Sequence, residues 1–164
     1  MESLWGNIIQ YEEEKKPESI LAEQFVELNR ITDGMVIGRV ERFDKTIDEL
    51  SASPFNSTIE SMHDVFSPNA QGYLGETKDV SVLTFEAFIT AKAIPNYKYR
   101  FMFLQHGLAP FPVSVVLERT ICEEIQQDEE SFICNNEDEF KEMLKDVLSS
   151  KRVMSIVSRL MTYK

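Results

Sequence analysis

The sequence predicts an α+β fold: an antiparallel sheet of four to five strands with N-terminal and C-terminal helices packed on one face. Three observations carry this reading. Ile20, Leu21, Phe25, Leu28 and Ile31 recur at helical spacing near the start of the chain. Tyr97, Tyr99, Phe101 and Phe103 then alternate with other residues, which is the period of a strand. Two further helical stripes, Phe140–Leu144–Val147 and Val153–Ile156–Leu160, follow toward the C-terminus.

Residues 4–11 suit a short strand or a loop that packs Trp5. The first helix is expected over residues 17–31. Pro17 suits a first helical turn, and Thr32-Asp33-Gly34 supplies a glycine able to stop it. Residues 35–43, rich in Val and Ile, read as a strand. The whole chain, 1–164, reads as a single domain with a less regular segment at 44–79. Inside that segment Ser57-Thr58-Ile59-Glu60 matches a capping box for a short helix carrying His63.

The next strand is expected over residues 80–91, ended by Ile94-Pro95-Asn96. Residues 97–105 and 111–125 are expected to pair around the turn at His106-Gly107. Side-chain matching favours Phe103 against Val113, Phe101 against Val115 and Tyr99 against Leu117, with Lys98 opposite Glu118. The aromatic row should then face the helices while Lys98 and Arg100 point away. A turn about Asp128 would set Cys122 opposite Cys134. Asn136 is the expected N-cap of the next helix, with Glu139 at its third position, and Ser149-Ser150 breaks or re-caps that helix. The stripe ending in Leu160-Met161 is core or the contact of a homodimer formed through the C-terminal helices.

Composition bounds the function. The net charge is −11, from 28 acids and 17 bases, so phosphate backbones are repelled and direct nucleic-acid binding is not expected. No basic-then-apolar leader opens the sequence and no apolar run approaches spanning length, so the expectation is a cytoplasmic protein away from membranes. Two cysteines in a chain this size make no disulfide framework. Residues 118–142 hold ten acids and two bases, while residues 143–164 hold five bases and one acid. An acidic turn followed by a helix with basic residues near its end explains this; an acidic surface for a basic partner explains it as well.

Candidate chemistry is sparse. The histidines are His63 and His106, without the companion ligands a zinc site needs. His63 suits a packed helix position, and His106 a turn-stabilising hydrogen bond. Cys122 with His106 forms a conceivable nucleophile and base. Against it, Cys122 lies in a strand pattern among acids that raise a thiol pKa. The six glycines form no phosphate cradle. Glu137-Asp138-Glu139 suits a first helical turn better than a metal. The row from Tyr97 to Phe103 suits a core face better than a base-stacking platform. No cofactor and no metal is expected.

Pro17-x-x-Ile20-Leu21-x-Glu23-Gln24, Thr32-x-Gly34, Tyr97-x-Tyr99, His106, Pro112-Val113 and Glu139-Phe140 together resemble a group of short uncharacterised bacterial proteins. The resemblance implies a small cytoplasmic single domain and carries over no catalytic residue.

Three functions stay open. The leading one is a non-enzymatic cytoplasmic interaction protein: a regulator, inhibitor or immunity-type partner. It would act through an acidic surface at Glu123, Glu124, Asp128, Glu129 and Glu130. The second is a small-ligand-binding domain with a pocket between sheet and helices. The third is an enzyme using His106 with Cys122 or a nearby acid.

Overall fold

The computed structural model describes residues 1–10, 14–43 and 83–163. After a 3-10 turn at Ile8–Gln10 the chain forms α1 (Pro17–Ile31) and β1 (Val36–Arg42). Then come β2 (Leu83–Ala91), β3 (Ile94–His106), β4 (Val113–Leu117) and α2 (Arg119–Glu124). The chain continues through β5 (Ser131–Cys134), α3 (Glu137–Leu148) and α4 (Lys151–Thr162). The five strands make one antiparallel sheet in the order β1-β2-β3-β4-β5. The expected fold class is therefore present, with five strands and four α-helices among the described residues. The anticipated short helix at Ser57 and the segment 44–79 lie outside the described residues.

α1 takes the expected bounds. Its apolar stripe buries Ile20, Leu21 and Phe25, and the chain turns at Asp33 and Gly34, both with positive φ. Gly38 lies beneath Phe25, where any Cβ would overlap the ring. At the other end Asn136 Oδ1 accepts from Glu139 N–H at 2.9 Å, and Ser150 Oγ from Val153 N–H at 3.3 Å. The serine pair thus separates α3 from α4. Val153, Ile156 and Leu160 are buried in the same core as Phe140, Leu144 and Val147. The C-terminal stripe is core of this chain as far as Leu160, and Met161 is 39% exposed.

Four sequence expectations need correction. Trp5 is 80% exposed, and the N-terminal residues form a 3-10 turn over Ile8–Gln10 that buries none of its own residues. Ile94-Pro95-Asn96 does not end a strand. It begins β3 after a tight turn at Lys92-Ala93. Pro95 is tolerated because β4 pairs only with residues 102–105, so the missing N–H faces no partner on that side.

The hairpin register is the third correction. Phe103 lies opposite Val116, Leu104 opposite Val115 and Met102 opposite Leu117. The cause is in β3, where Ala87 pairs with Met102 but Phe88 pairs with Arg100, so Phe101 is an extra residue, a β-bulge. Alternation restarts there. Tyr99 and Phe101 face the helices as expected, but so do Met102 and Leu104, all within the main core. Phe103 goes to the opposite face with Phe43 and Val116. Lys98 and Arg100 do point away from the helices. Their partner is Glu86, at 2.7 Å and 2.9 Å, and not Glu118. Arg100 lies alongside Glu86 Oε2 as an ion pair without the alignment of a hydrogen bond.

The fourth concerns residues 111–125. Only Val113–Leu117 is strand, and the chain then turns into α2. Leu117, Ile121 and Ile125 recur every fourth residue, which is a helical signal inside the segment read as strand. Cys122 therefore sits on a helix, and Cys134 lies opposite Val113. The proposed cysteine pairing across a turn at Asp128 does not occur.

Candidate functional site

The acidic segment wraps one end of the sheet as α2, the following loop, β5 and the start of α3. Much of its charge is held within the chain. Glu118, which precedes α2, pairs with Arg152 of α4 at 2.9 Å. Glu124 receives the backbone N–H groups of Lys151 and Arg152, so its carboxylate caps the N-terminus of α4. Glu130 pairs with Arg119 at 3.1 Å, and its carbonyl accepts from Leu117 N–H. Glu139 accepts from Asn135 N–H at 2.7 Å, and Glu137 approaches Lys141 at 3.7 Å. These contacts fasten α2 to α4 and β5 to α3.

The same segment leaves a second group of acids outward. Glu123 is exposed on α2, and Asp128 and Glu129 are exposed in the loop that follows. Among the described residues, none of the three carboxylates has a hydrogen-bond or ion-pair partner. The structure thus divides the five expected interaction residues. Glu123, Asp128 and Glu129 form an open acidic edge, whereas Glu124 and Glu130 hold neighbouring elements.

What shapes this loop is a helix end without glycine. Gln127 N–H donates to Cys122 C=O and Gln126 N–H to Glu123 C=O, with Gln126 at φ 63°. That is a Schellman-type stop with glutamine in the left-handed position glycine ordinarily fills. Such a residue costs about 1 kcal/mol, and backbone strain of this sort tends to collect near functional surfaces. Sequence alone pointed to a turn about Asp128 but not to the strained residue before it.

His106 takes a different role from the one a catalytic pair needs. Its side chain is 2% exposed and stacks against Phe85. Nδ1 lies 2.7 Å from Gly107 O, and Nε2 lies 2.8 Å from Glu18 Oε2. The expected turn contact is there, and so is a carboxylate from α1 that no local motif indicated. Gly107 O can only accept, so Nδ1 carries a proton, and a carboxylate on the other side favours the doubly protonated ring. Burial opposes that charge, but the hydrogen bonds that the ring donates to Glu18 and Gly107 O prevail and raise the His106 pKa. Glu18 moves the opposite way: burial resists, while the bond to His106 and neighbouring charge lower its pKa.

With both nitrogens engaged and no ring edge in solvent, His106 has no free site for abstracting a proton. Its contacts go to Glu18 and Gly107 and not to Cys122, whose nearest polar contact is Leu117 O at 3.9 Å. Burial, then Glu130 and Glu123, push the Cys122 thiol up to about 11. Burial and Glu139 push Cys134 to about 11 as well. Both thiols are protonated near neutral pH and poor nucleophiles.

Glu18, lowered on folding, adds stability above about 4.5 that is lost as pH falls through its folded value. His106, raised on folding, adds stability below about 6.5 that is lost as pH rises through its folded value. The pair is therefore strongest between those limits. Replacing His106 with Gln should cost about 1–3 kcal/mol near pH 5.5 and less above pH 8. Urea midpoints of both proteins across pH check this; a loss that grows above pH 7 would contradict it.

Tyr99 is buried beneath Arg152, whose guanidinium lies 5.4 Å from the ring centre. Burial and then Glu118 raise its phenol far above the ordinary range. A groove of about 230 Å³ borders Arg100, Phe103, Val116, Arg119 and Glu130, smaller than the usual range for small-molecule sites. Among the described residues no group of three or more His, Cys, Asp or Glu side chains could hold a metal ion. No helix in them is long and apolar enough to cross a membrane. Comparison with protein-family models, with curated proteins and with solved structures gives no match.

Proposed function

We propose that this chain is a non-enzymatic cytoplasmic binding protein of the regulator, inhibitor or immunity type. It holds a basic protein partner on the edge formed by Glu123, Asp128 and Glu129. The observation that carries the reading is the division of the acidic segment. Glu118, Glu124, Glu130, Glu137 and Glu139 are matched to Arg152, Arg119, Lys141 or helix N-termini, while these three remain open to solvent beside a strained turn. Charges placed in this way contribute little to the fold, and they steer a cationic surface toward the loop. Two unbridged cysteines, Cys122 and Cys134, agree with a reducing compartment.

The test is chemical cross-linking in the source cells followed by purified binding. Capture of one basic protein is expected. Its affinity should fall as salt rises, because exposed charge pairs are screened. A partner held equally well at low and high salt would remove the electrostatic basis of the proposal.

A further inference from the structure

β1 is an edge strand, and its hydrogen-bonding parity can be worked out. Phe43 N–H donates to Thr84 C=O, and Lys92 N–H donates to Met35 C=O. The β1–β2 register has no slip, so the odd-numbered residues of β1 bond to β2. The even-numbered residues turn their N–H and C=O outward. Thr32 Oγ1 occupies those of Val36, at 3.2 Å from its N and 3.3 Å from its O. Among the described residues nothing occupies those of Gly38 and Val40.

Two exposed charges flank this open edge. Arg39 and Glu41 both lie on the sheet face away from the helices, and neither has an ion-pair partner among the described residues. Suppose a second copy of β1 pairs antiparallel about a two-fold axis at Val40. Val40 then meets the partner's Val40 as a hydrogen-bonded pair. Arg39 falls opposite the partner's Glu41, and Glu41 opposite the partner's Arg39. Centring the axis on Arg39 or on Glu41 would oppose like charges, and centring it on Gly38 would set Arg39 against Ile37 and Glu41 against Met35, leaving both charges without a partner. The charge pattern therefore selects one register.

The helix side of the edge fits the same partner. A groove of about 370 Å³ runs between α1 and β1, bordered by Ala22, Val26 and Asn29. These share one helical stripe beside the open edge, and Val26 is 72% exposed. The proposed axis would place the two α1 helices side by side with Val26 of each facing the other.

We propose that the chain forms an isologous homodimer through β1, joining two five-stranded sheets into one, with reciprocal Arg39–Glu41 pairs fixing the register. This interface is separate from the acidic edge and does not depend on it.

Sedimentation velocity over a concentration series up to about 1 mM tests it, with Arg39→Glu and Glu41→Arg as variants. The wild-type protein should self-associate. Each variant alone sets like charges opposite one another twice and should weaken association at least about tenfold. An equal mixture of the two variants should associate again, because each would then oppose Glu to Arg across the axis. Both side chains are exposed, so thermal unfolding of each variant should match wild type. A wild-type monomer at every concentration would overturn the proposal and make Arg39 and Glu41 charges that guard a sheet edge. Association unchanged by either substitution, or no recovery on mixing, would overturn it too.

Discussion

Replacing Phe101 with alanine should destabilise the protein by about 3–5 kcal/mol, a large share of the roughly 5–15 kcal/mol a domain possesses. Phe101 is 1% exposed and lies between Phe25 and Tyr99, with ring centres 6.2 Å and 5.9 Å away. It belongs to the bulge and faces the helices, so nothing nearby can move into its volume without disturbing β3. Phe103 is the contrasting case. It has the same residue type two positions on, but it is half-buried on the opposite face beside Phe43 and Arg100. Its replacement should cost clearly less, on the order of 1–2 kcal/mol. Urea unfolding of the two variants measures the difference. Equal losses would mean that the two rings share a face, as simple alternation implies, and that the bulge is absent.

The second large effect belongs to Gly38. A methyl group there would lie 2.6 Å from Phe25 Cε1 and closer still to two other ring atoms. Phe25 is 5% exposed and edge-on to Phe101, so the ring can withdraw only by giving up that packing. Gly38→Ala should therefore cost about 2–3 kcal/mol through overpacking, with no contribution from backbone strain. The double-mutant cycle with Phe25→Ala identifies the cause. Phe25→Ala alone should cost about 3–5 kcal/mol, but Gly38→Ala added to it should cost little more. Additive losses would show that the alanine harms β1 for some other reason.

Where the sequence was legible, a signal was local and repeated. The stripe from Ile20 to Leu28 with Pro17 and Gly34 at its ends defined α1. Asn136 and Ser150 marked two helix starts, because capping is chemistry between residues three apart. Alternation placed Tyr99 and Phe101 inward and Lys98 and Arg100 outward. Alternation failed at Phe103 because one bulged residue inverts every position after it, and no residue type announces a bulge at phenylalanine. The register of β4 failed for the same reason, since it was counted from the unbulged row.

The site divides along similar lines. Local charge density showed where the acids gather, and it could not show which were already matched. Glu118 meets Arg152 across 34 positions, and Glu124 caps a helix 27 positions away. His106 was read as a turn residue and is one, but its bond to Glu18 spans 88 positions and lies beyond any motif. The helix that carries Glu123 was hidden in a segment whose Val-rich start reads as strand.

The central claim is that the acidic segment contains two sets of carboxylates, one serving the fold and one serving a partner. The most direct measurement changes each set and reads both stability and binding. One variant carries Glu123→Lys, Asp128→Lys and Glu129→Lys; the other carries Glu118→Gln and Glu124→Gln. The first should keep its unfolding midpoint within a few degrees and lose at least about tenfold in affinity for the captured basic partner. The second should lose stability by about 1–3 kcal/mol, from a weakened helix cap and a lost ion pair, yet bind as wild type at a temperature where it is folded. Wild-type affinity in the first variant would contradict the account.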